Sequence, residues 1–358
     1  MKQAANRQQI DTLYVLGAGA SYGLTKVKTK KHPYSRQVTP LDATFLKNLQ
    51  HFQPANGWRR ASTELVLQQW FDRIAAVDHG LEEAIIKRVS QYDFLSNLHP
   101  TKIKGRCNNA EYLNHLSHLI TEFLSRCKAN NSGNARKLIQ HIFPAHKPVA
   151  EYTDRIITFN YDTVLERPLI DRGLSKKKIY FDRIVAREED GIRRYADEKF
   201  PHPIMLKLHG SINWRCNKRH FEEMITGNIE SDEKIVVWSD DKGRPTPDDD
   251  DSPLIIPPIP NKPITATSLF RFLWTLAYEY MHQAKRIVIV GYSCPPTDTL
   301  ARTMFSQFTS RTLEEIFVVD PNAVALKNYR EMLEPRTAAR AKWRYYPDIC
   351  AYIESELN

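Results

Sequence analysis

Short apolar runs that break directly into turn residues recur along this chain, and they constrain its fold more than any other feature. They are Thr12–Gly17 ("TLYVLG"), Arg155–Phe159 ("RIITF"), Ile204–Gly210 ("IMLKLHG"), Lys234–Ser239 ("KIVVWS"), Arg286–Ser293 ("RIVIVGYS"), Glu315–Pro321 ("EIFVVDP") and Lys342–Pro347 ("KWRYYP"). Several are apolar throughout instead of alternating with polar residues, the pattern of strands buried on both faces of a parallel sheet. Helical periodicity is clearest just before one of them, where Leu269, Phe272, Leu273, Leu276, Ala277, Tyr280 and Met281 recur at three-and-four spacing behind the N-cap candidates Thr267 and Ser268. A helix that leads into a buried strand is half of a crossover unit. The expected fold class is α/β, a Rossmann-like open, mostly parallel sheet with an inserted helical module.

The insertion is read from a long stretch without strand signals. Leu67, Trp70, Phe71, Ile74 and Ala75 mark one helical pattern, Leu81, Ala84, Ile85, Arg88 and Val89 a second, and Leu113, Leu116, Ile120, Phe123, Leu124 and Cys127 a third. This divides the chain into residues 1–41 plus 151–358 as the α/β domain and 42–150 as the helical module. Ser175–Pro203 and Ser239–Pro263 read as charged or Pro- and Asp-rich surface excursions. The four consecutive aspartates Asp248–Asp251 read as a solvated loop tip, since no second ligand cluster accompanies them.

Composition narrows the function classes. In 358 residues, 42% are apolar, and no run approaches the roughly 18 apolar residues of a membrane span. The first residues, "MKQAANRQQIDT", lack the apolar core of a signal peptide, so a cytoplasmic location is expected, with no membrane association. Five scattered cysteines form no CxxC pair, which argues against both a disulfide framework and a structural zinc site. A net charge of +9 is compatible with direct nucleic-acid binding, and the densest basic run, Lys26–Arg36, reads as a solvated loop, with contact to phosphate as the alternative. Only fragments of the interleaved basic and aromatic pattern of a nucleic-acid groove are present.

The candidate chemistry gathers where strands end. "GAGAS" places Gly17 and Gly19 between a buried strand and a helix, where backbone N–H groups can approach a pyrophosphate. The dehydrogenase fingerprint is incomplete, because Tyr22 stands where the third glycine belongs and no acid-tipped second strand follows. The GxxxxGK[ST] phosphate loop is absent. Three further strand ends carry polar residues: Asn160, Tyr161 and Asp162; His209 and Gly210; and Gly291, Ser293 and Asp298. In an open α/β sheet such residues converge on one crevice although they are distant in sequence.

With "GAGAS" (Gly17–Ser21), "TFNYD" (Thr158–Asp162), "KLHGSINW" (Lys207–Trp214), "GYSCPPTD" (Gly291–Asp298) and, more weakly, "VVDPN" (Val318–Asn322), the chain resembles the sirtuin-like NAD-consuming proteins. It is most similar to their bacterial branch of antiphage-defence effectors. The resemblance implies that Gly17, Ala18, Gly19 and Ser21 cradle the NAD phosphates. Asn160 would orient the attacking water, Asp162 would lie beside the nicotinamide amide, and His209 would bond a ribose hydroxyl and act as general base. Gly291 and Ser293 would contact ribose or phosphate, with Asp298 in the same cofactor-binding set, and Asp320 or Asn322 would meet the adenosine ribose. The chemistry suits these residue types: nicotinamide leaves a cationic N-glycoside as a neutral group, so the demand is for a positioned nucleophile and an imidazole with an ordinary pKa of roughly 6.5. No metal is expected.

Sirtuin deacylases carry two CxxC pairs in a zinc module and a cleft for acyl-lysine; neither pair is present here. The resemblance therefore points to water as acceptor, giving nicotinamide and ADP-ribose from NAD+. It further implies a homo-oligomer and a partner protein in trans, of the HerA-type ATPase or Argonaute-like kind. The alternative is a non-catalytic subunit that binds NAD or ADP-ribose, or one associated with nucleic acid.

Overall fold

The computed structural model describes residues 10–25, 85, 109–126, 133–148, 151–175, 179–180, 203–226, 236–237, 251–257, 259, 262, 264, 267–296 and 298–356. The basic run Lys26–Arg36, the first helical pattern, all of the second but Ile85, most of the Ser175–Pro203 excursion and Asp248–Asp250 lie outside these residues.

Six parallel strands form the main sheet: β1 (Ile10–Leu16), β2 (Arg155–Thr158), β3 (Met205–Lys207), β7 (Ala284–Val290), β8 (Glu315–Val319) and β9 (Lys342–Tyr346). Their order across it is β3-β2-β1-β7-β8-β9. The chain steps outward from β1 through β2 to β3, then returns to the other side of β1 and steps out to β9, so the direction of winding reverses between β1 and β7. The carboxyl ends of the strands share one edge, and a ligand crevice in a doubly wound sheet opens at that reversal. All four residues of β2 are buried, as are six of the seven in β1, which is why these runs lack alternation.

Helix α1 (Ala18–Thr25) follows β1 directly and packs with α3 (Gly133–Ile142) and α10 (Ile349–Glu356), while α3 also meets α4 (Glu166–Asp171). Although α3 falls within the segment read as an inserted module, it lies against helices of the α/β core. Helix α6 (Ser268–Gln283) lies across β1, β3 and β7, and its seven apolar-stripe residues are all buried. The Thr267 side chain caps it by accepting the Phe270 N–H at 3.1 Å.

A second sheet was not expected. β4 (Gly210–Asn217) runs antiparallel to β5 (Val236–Val237) on one side and to β6 (Asp251–Ile255) on the other. Helices α2 (Asn109–Arg126) and α5 (Lys218–Thr226) pack against β4 and β6. The segment read as a Pro- and Asp-rich loop thus contributes a strand, because Leu254, Ile255 and Ile256 are fully buried and outweigh the polar residues before them. Pro253 is tolerated in β6 because that strand pairs only with β4 among the described residues, and proline is confined to such edge positions.

The remaining helices, α7 (Thr299–Ser306), α8 (Val324–Met332) and α9 (Pro335–Arg340), follow one another around the β7–β9 half. No helix among the described residues is long and apolar enough to cross a membrane.

At the opposite, amino-terminal edge, Asp154 accepts the Thr12 N–H at 2.8 Å, and burial pushes its carboxyl up from 3.8 to about 6. A carboxyl whose folded pKa exceeds its unfolded one binds more protons when folded, so its ionisation lowers stability as pH rises from 3.8 through about 6. Asp154→Asn keeps the acceptor and removes the charge. It should stabilise the protein by about 2 kcal/mol at pH 7, with the gain vanishing near pH 4, as read by urea unfolding at the two pH values.

Candidate functional site

Three glycines lock the two turns at the winding reversal. The Gly17 N–H donates to the Val290 carbonyl at 3.0 Å and the Gly19 N–H to the Gly291 carbonyl at 2.9 Å. A Cβ on Gly17 would lie 2.6 Å from the Gly291 oxygen, and one on Gly19 would lie 2.8 Å from the Gly291 Cα. Gly291 itself has φ +55°, and a Cβ there would sit 2.3 Å from the Ala20 nitrogen and the Gly19 carbonyl carbon. The glycines are therefore required by backbone-to-backbone contact between the turn after β1 and the turn after β7. Two N–H groups that the sequence offers to a phosphate are engaged within the protein, while Ala18 and Gly19 remain partly accessible at the start of α1.

Asn160 fastens the end of β2 to this lock. Its Nδ2 donates to the Gly17 carbonyl at 2.7 Å and to Ser21 Oγ at 2.8 Å. A carbonyl can only accept, so the amide orientation is fixed, and Oδ1 is left without a donor among the described residues. Ser21 is buried and receives Asn160, so it anchors the turn. Asp162, also buried, accepts the Val164 N–H at 3.1 Å and starts the turn towards α4. Ser21, Asn160 and Asp162 line a small recess with Thr158, Glu166 and Lys207.

Lys207 and Glu166 form a buried ion pair beside these residues that the sequence reading did not single out. Lys207 Nζ pairs with Glu166 Oε1 at 2.8 Å and donates to the Asp162 carbonyl, and Glu166 Oε1 also accepts the Tyr180 hydroxyl at 2.6 Å. Burial pushes the Glu166 carboxyl up, opposed by Lys207 and Tyr180. A lysine inside the apolar run "IMLKLHG" was the available signal, since a buried lysine requires a partner.

His209 stands at the corner where the parallel sheet passes into the antiparallel one. Gly210 follows at φ +80°, where a Cβ would lie 2.1 Å from the Leu254 oxygen, and the His209 carbonyl accepts the Ile256 N–H at 2.8 Å. The imidazole lies among aromatic rings: Phe159 edge-on at 5.3 Å, Trp274 at 6.1 Å and Tyr161 at 6.4 Å between centroids. Trp274 braces this corner by donating its indole N–H to the Leu208 carbonyl at 3.1 Å.

The His209 imidazole is 7% exposed, and its Nε2 lies 3.7 Å from Asp298 Oδ2 without a hydrogen bond to it or to any other described group. Burial lowers its pKa to about 4, against the pull of Asp298 and of a backbone bond at Phe159. The ordinary value expected from sequence is thus displaced, and the ring is a neutral acceptor at physiological pH. Two acceptors, a ring nitrogen lone pair and a carboxylate oxygen, face each other. A proton arriving at Nε2 would turn that opposition into an ion pair.

Asp298 is buried among further partners that sequence reasoning missed: Lys262 Nζ is 3.0 Å from Oδ1, and the Tyr292 hydroxyl donates to Oδ2 at 2.7 Å. Burial pushes this carboxyl up, but His209, Lys262 and Tyr292 together hold it below the usual carboxylate value. Tyr292 in turn stacks on Phe159, with centroids 4.0 Å apart and planes within 9°.

The other candidates lie on the same sheet edge with local roles. Ser293 is exposed after Gly291. Asp320 Oδ1 accepts the Asn322 N–H at 2.8 Å, and exposed Asn322 accepts the Val324 N–H at 3.0 Å, starting α8. Burial raises the Asp320 carboxyl.

No protein-family model matches the chain, and no curated protein matches it in sequence.

Two outcomes follow from this geometry. Gly291→Ala should destabilise the protein by at least ~2 kcal/mol in denaturant unfolding, because the added carbon meets backbone on both sides. The His209 ring resonances should show no inflection between pH 6 and 7 in an NMR titration. A midpoint near 6.5 would contradict the burial described.

Proposed function

We propose that this protein is an NAD+ glycohydrolase, cleaving NAD+ to nicotinamide and ADP-ribose, and that it serves as an antiphage-defence effector activated by a partner or by assembly. One observation carries this reading. An amide oriented by the glycine turn and a neutral, unbonded imidazole nitrogen facing a carboxylate stand at the ends of neighbouring strands. A module that only binds NAD has no use for a base backed by a buried carboxylate.

The residues divide the work by chemistry. The partly accessible start of α1 suits a pyrophosphate, whose negative charge the helix terminus favours. Asn160 Oδ1 offers an acceptor to a water or a ribose hydroxyl. His209 Nε2 takes a proton, and Asp298 compensates the imidazolium formed. Hydrolysis balances as NAD+ plus water giving nicotinamide, ADP-ribose and a proton: the glycosidic C–N bond breaks, its electron pair leaves with nicotinamide, and a C–O bond to water forms.

Partner activation is supported by the burial of His209: Nε2 is sealed from solvent, so a substrate reaches it only after the corner opens. The same burial also suits the second reading, a non-catalytic NAD- or ADP-ribose-binding or nucleic-acid-associated subunit of a defence complex. The resemblance of the five motifs to sirtuin-like NAD-consuming effectors supports the first.

Measuring nicotinamide and ADP-ribose released from NAD+ by the purified protein, alone and with proteins encoded beside it, separates the two. Release should fall by at least ~100-fold in Asn160→Ala and His209→Ala while NAD+ binding persists. Binding without consumption in every complex would favour the second reading.

A further inference from the structure

We infer that Lys207 is a positioning residue for the proposed reaction, tying the end of β3, which carries His209, to the loop after β2, which carries Asn160. The inference rests on the NAD+-consuming reading of the site and goes beyond it by assigning a task to a buried ion pair that the chemistry itself does not use.

The side chains of Lys207 and Glu166 are 1% and 7% exposed, and they pair at 2.8 Å. An ion pair so placed is a poor source of stability, because removing both charges from water offsets much of their attraction. Its directional contacts are what distinguish it. Lys207 Nζ reaches past Glu166 to the backbone carbonyl of Asp162, two residues beyond Asn160. Glu166 sits at the start of α4, and Tyr180 holds the carboxylate from a third segment at 2.6 Å.

The loop from Asn160 to Asp162 is consequently pinned at both ends. Asn160 is fixed to the glycine turn through Gly17 and Ser21, and Asp162 is fixed to β3 through Lys207. His209 follows Lys207 by two residues on the same short strand end. Backbone bonds already join the two segments, from Leu208 N–H to the Thr158 carbonyl at 3.0 Å and from Ile212 N–H to the Tyr161 carbonyl at 2.9 Å; the lysine adds the side-chain tie that fixes the Asp162 end of the loop, and a shift of one ångström between amide and imidazole can cost about a hundredfold in rate.

The test separates folding from positioning. Lys207→Met alone leaves Glu166 without its countercharge and should lower the melting temperature sharply. Lys207→Met/Glu166→Gln removes both charges, keeps an acceptor for Tyr180 and should recover most of that loss. If Lys207 positions the loop, the double variant has kcat reduced at least ~tenfold with KM for NAD+ within about twofold of native. Glu166→Gln alone also lowers the melting temperature, by leaving the buried Lys207 charge uncompensated, but it retains the Lys207 bond to Asp162 and keeps kcat within about threefold.

A folded double variant with native kcat, or one affected only in KM, overturns the assignment. If the double variant does not fold, Glu166→Gln decides: a tenfold loss of kcat there overturns it. Absence of nicotinamide release by the native protein with every partner overturns the NAD+ reading and this inference together, whereas an active native protein with an unimpaired double variant overturns this inference alone.

Discussion

The contact between Gly17, Gly19 and Gly291 is the constraint on which the site depends. At the reversal of winding a doubly wound sheet ordinarily opens a crevice, because the turns after the two central strands diverge. Here those turns approach until backbone meets backbone, at distances no Cβ could tolerate. The glycine turn therefore does more than permit a phosphate to approach. It joins the two halves of the sheet at the place where the polar strand ends gather, and Asn160 extends that joint to β2 through two hydrogen bonds.

A second consequence concerns where His209 stands. It follows the short edge strand β3 and precedes β4, so its backbone belongs to a corner between two sheets. A corner of this kind would place a side chain poorly without bracing. Gly210 turns the chain, Trp274 holds the Leu208 carbonyl, and Phe159 meets the imidazole ring itself. Burial that keeps the ring neutral and the carboxylate that would stabilise its charged form act in opposite directions on the same nitrogen. On the proposed reading, that opposition suits a proton acceptor whose charged form is transient.

The parallel sheet was legible in the sequence because its central strands are runs of buried apolar residues with few polar interruptions, and α6 was legible because its stripe and its Thr267 cap are both local signals. The antiparallel sheet was not. "KLHGSINW" reads as one motif although the chain passes from one sheet to the other within it at Gly210, and β6 is preceded by aspartates that dominate its composition. Motif positions predicted which residues reach the common edge, but not how they are bonded. The partners Glu166 and Lys207 are separated by 41 residues, and nothing local to Lys262 or Tyr292 announces that they share Asp298. Such pairings are written only in the packing.

Burial also bears on control. On the proposed reading, His209 Nε2 cannot act while sealed from solvent, and the groups around it come from different parts of the fold: Phe159 from the β2 end, Trp274 from α6, Asp298 from the loop before α7, and behind Asp298 Lys262 from the segment between β6 and α6. That last segment connects the antiparallel sheet to the helix that covers β1, β3 and β7. On the proposed reading, displacing these groups while the glycine joint holds would expose Nε2 and leave Asn160 bonded to the glycine turn.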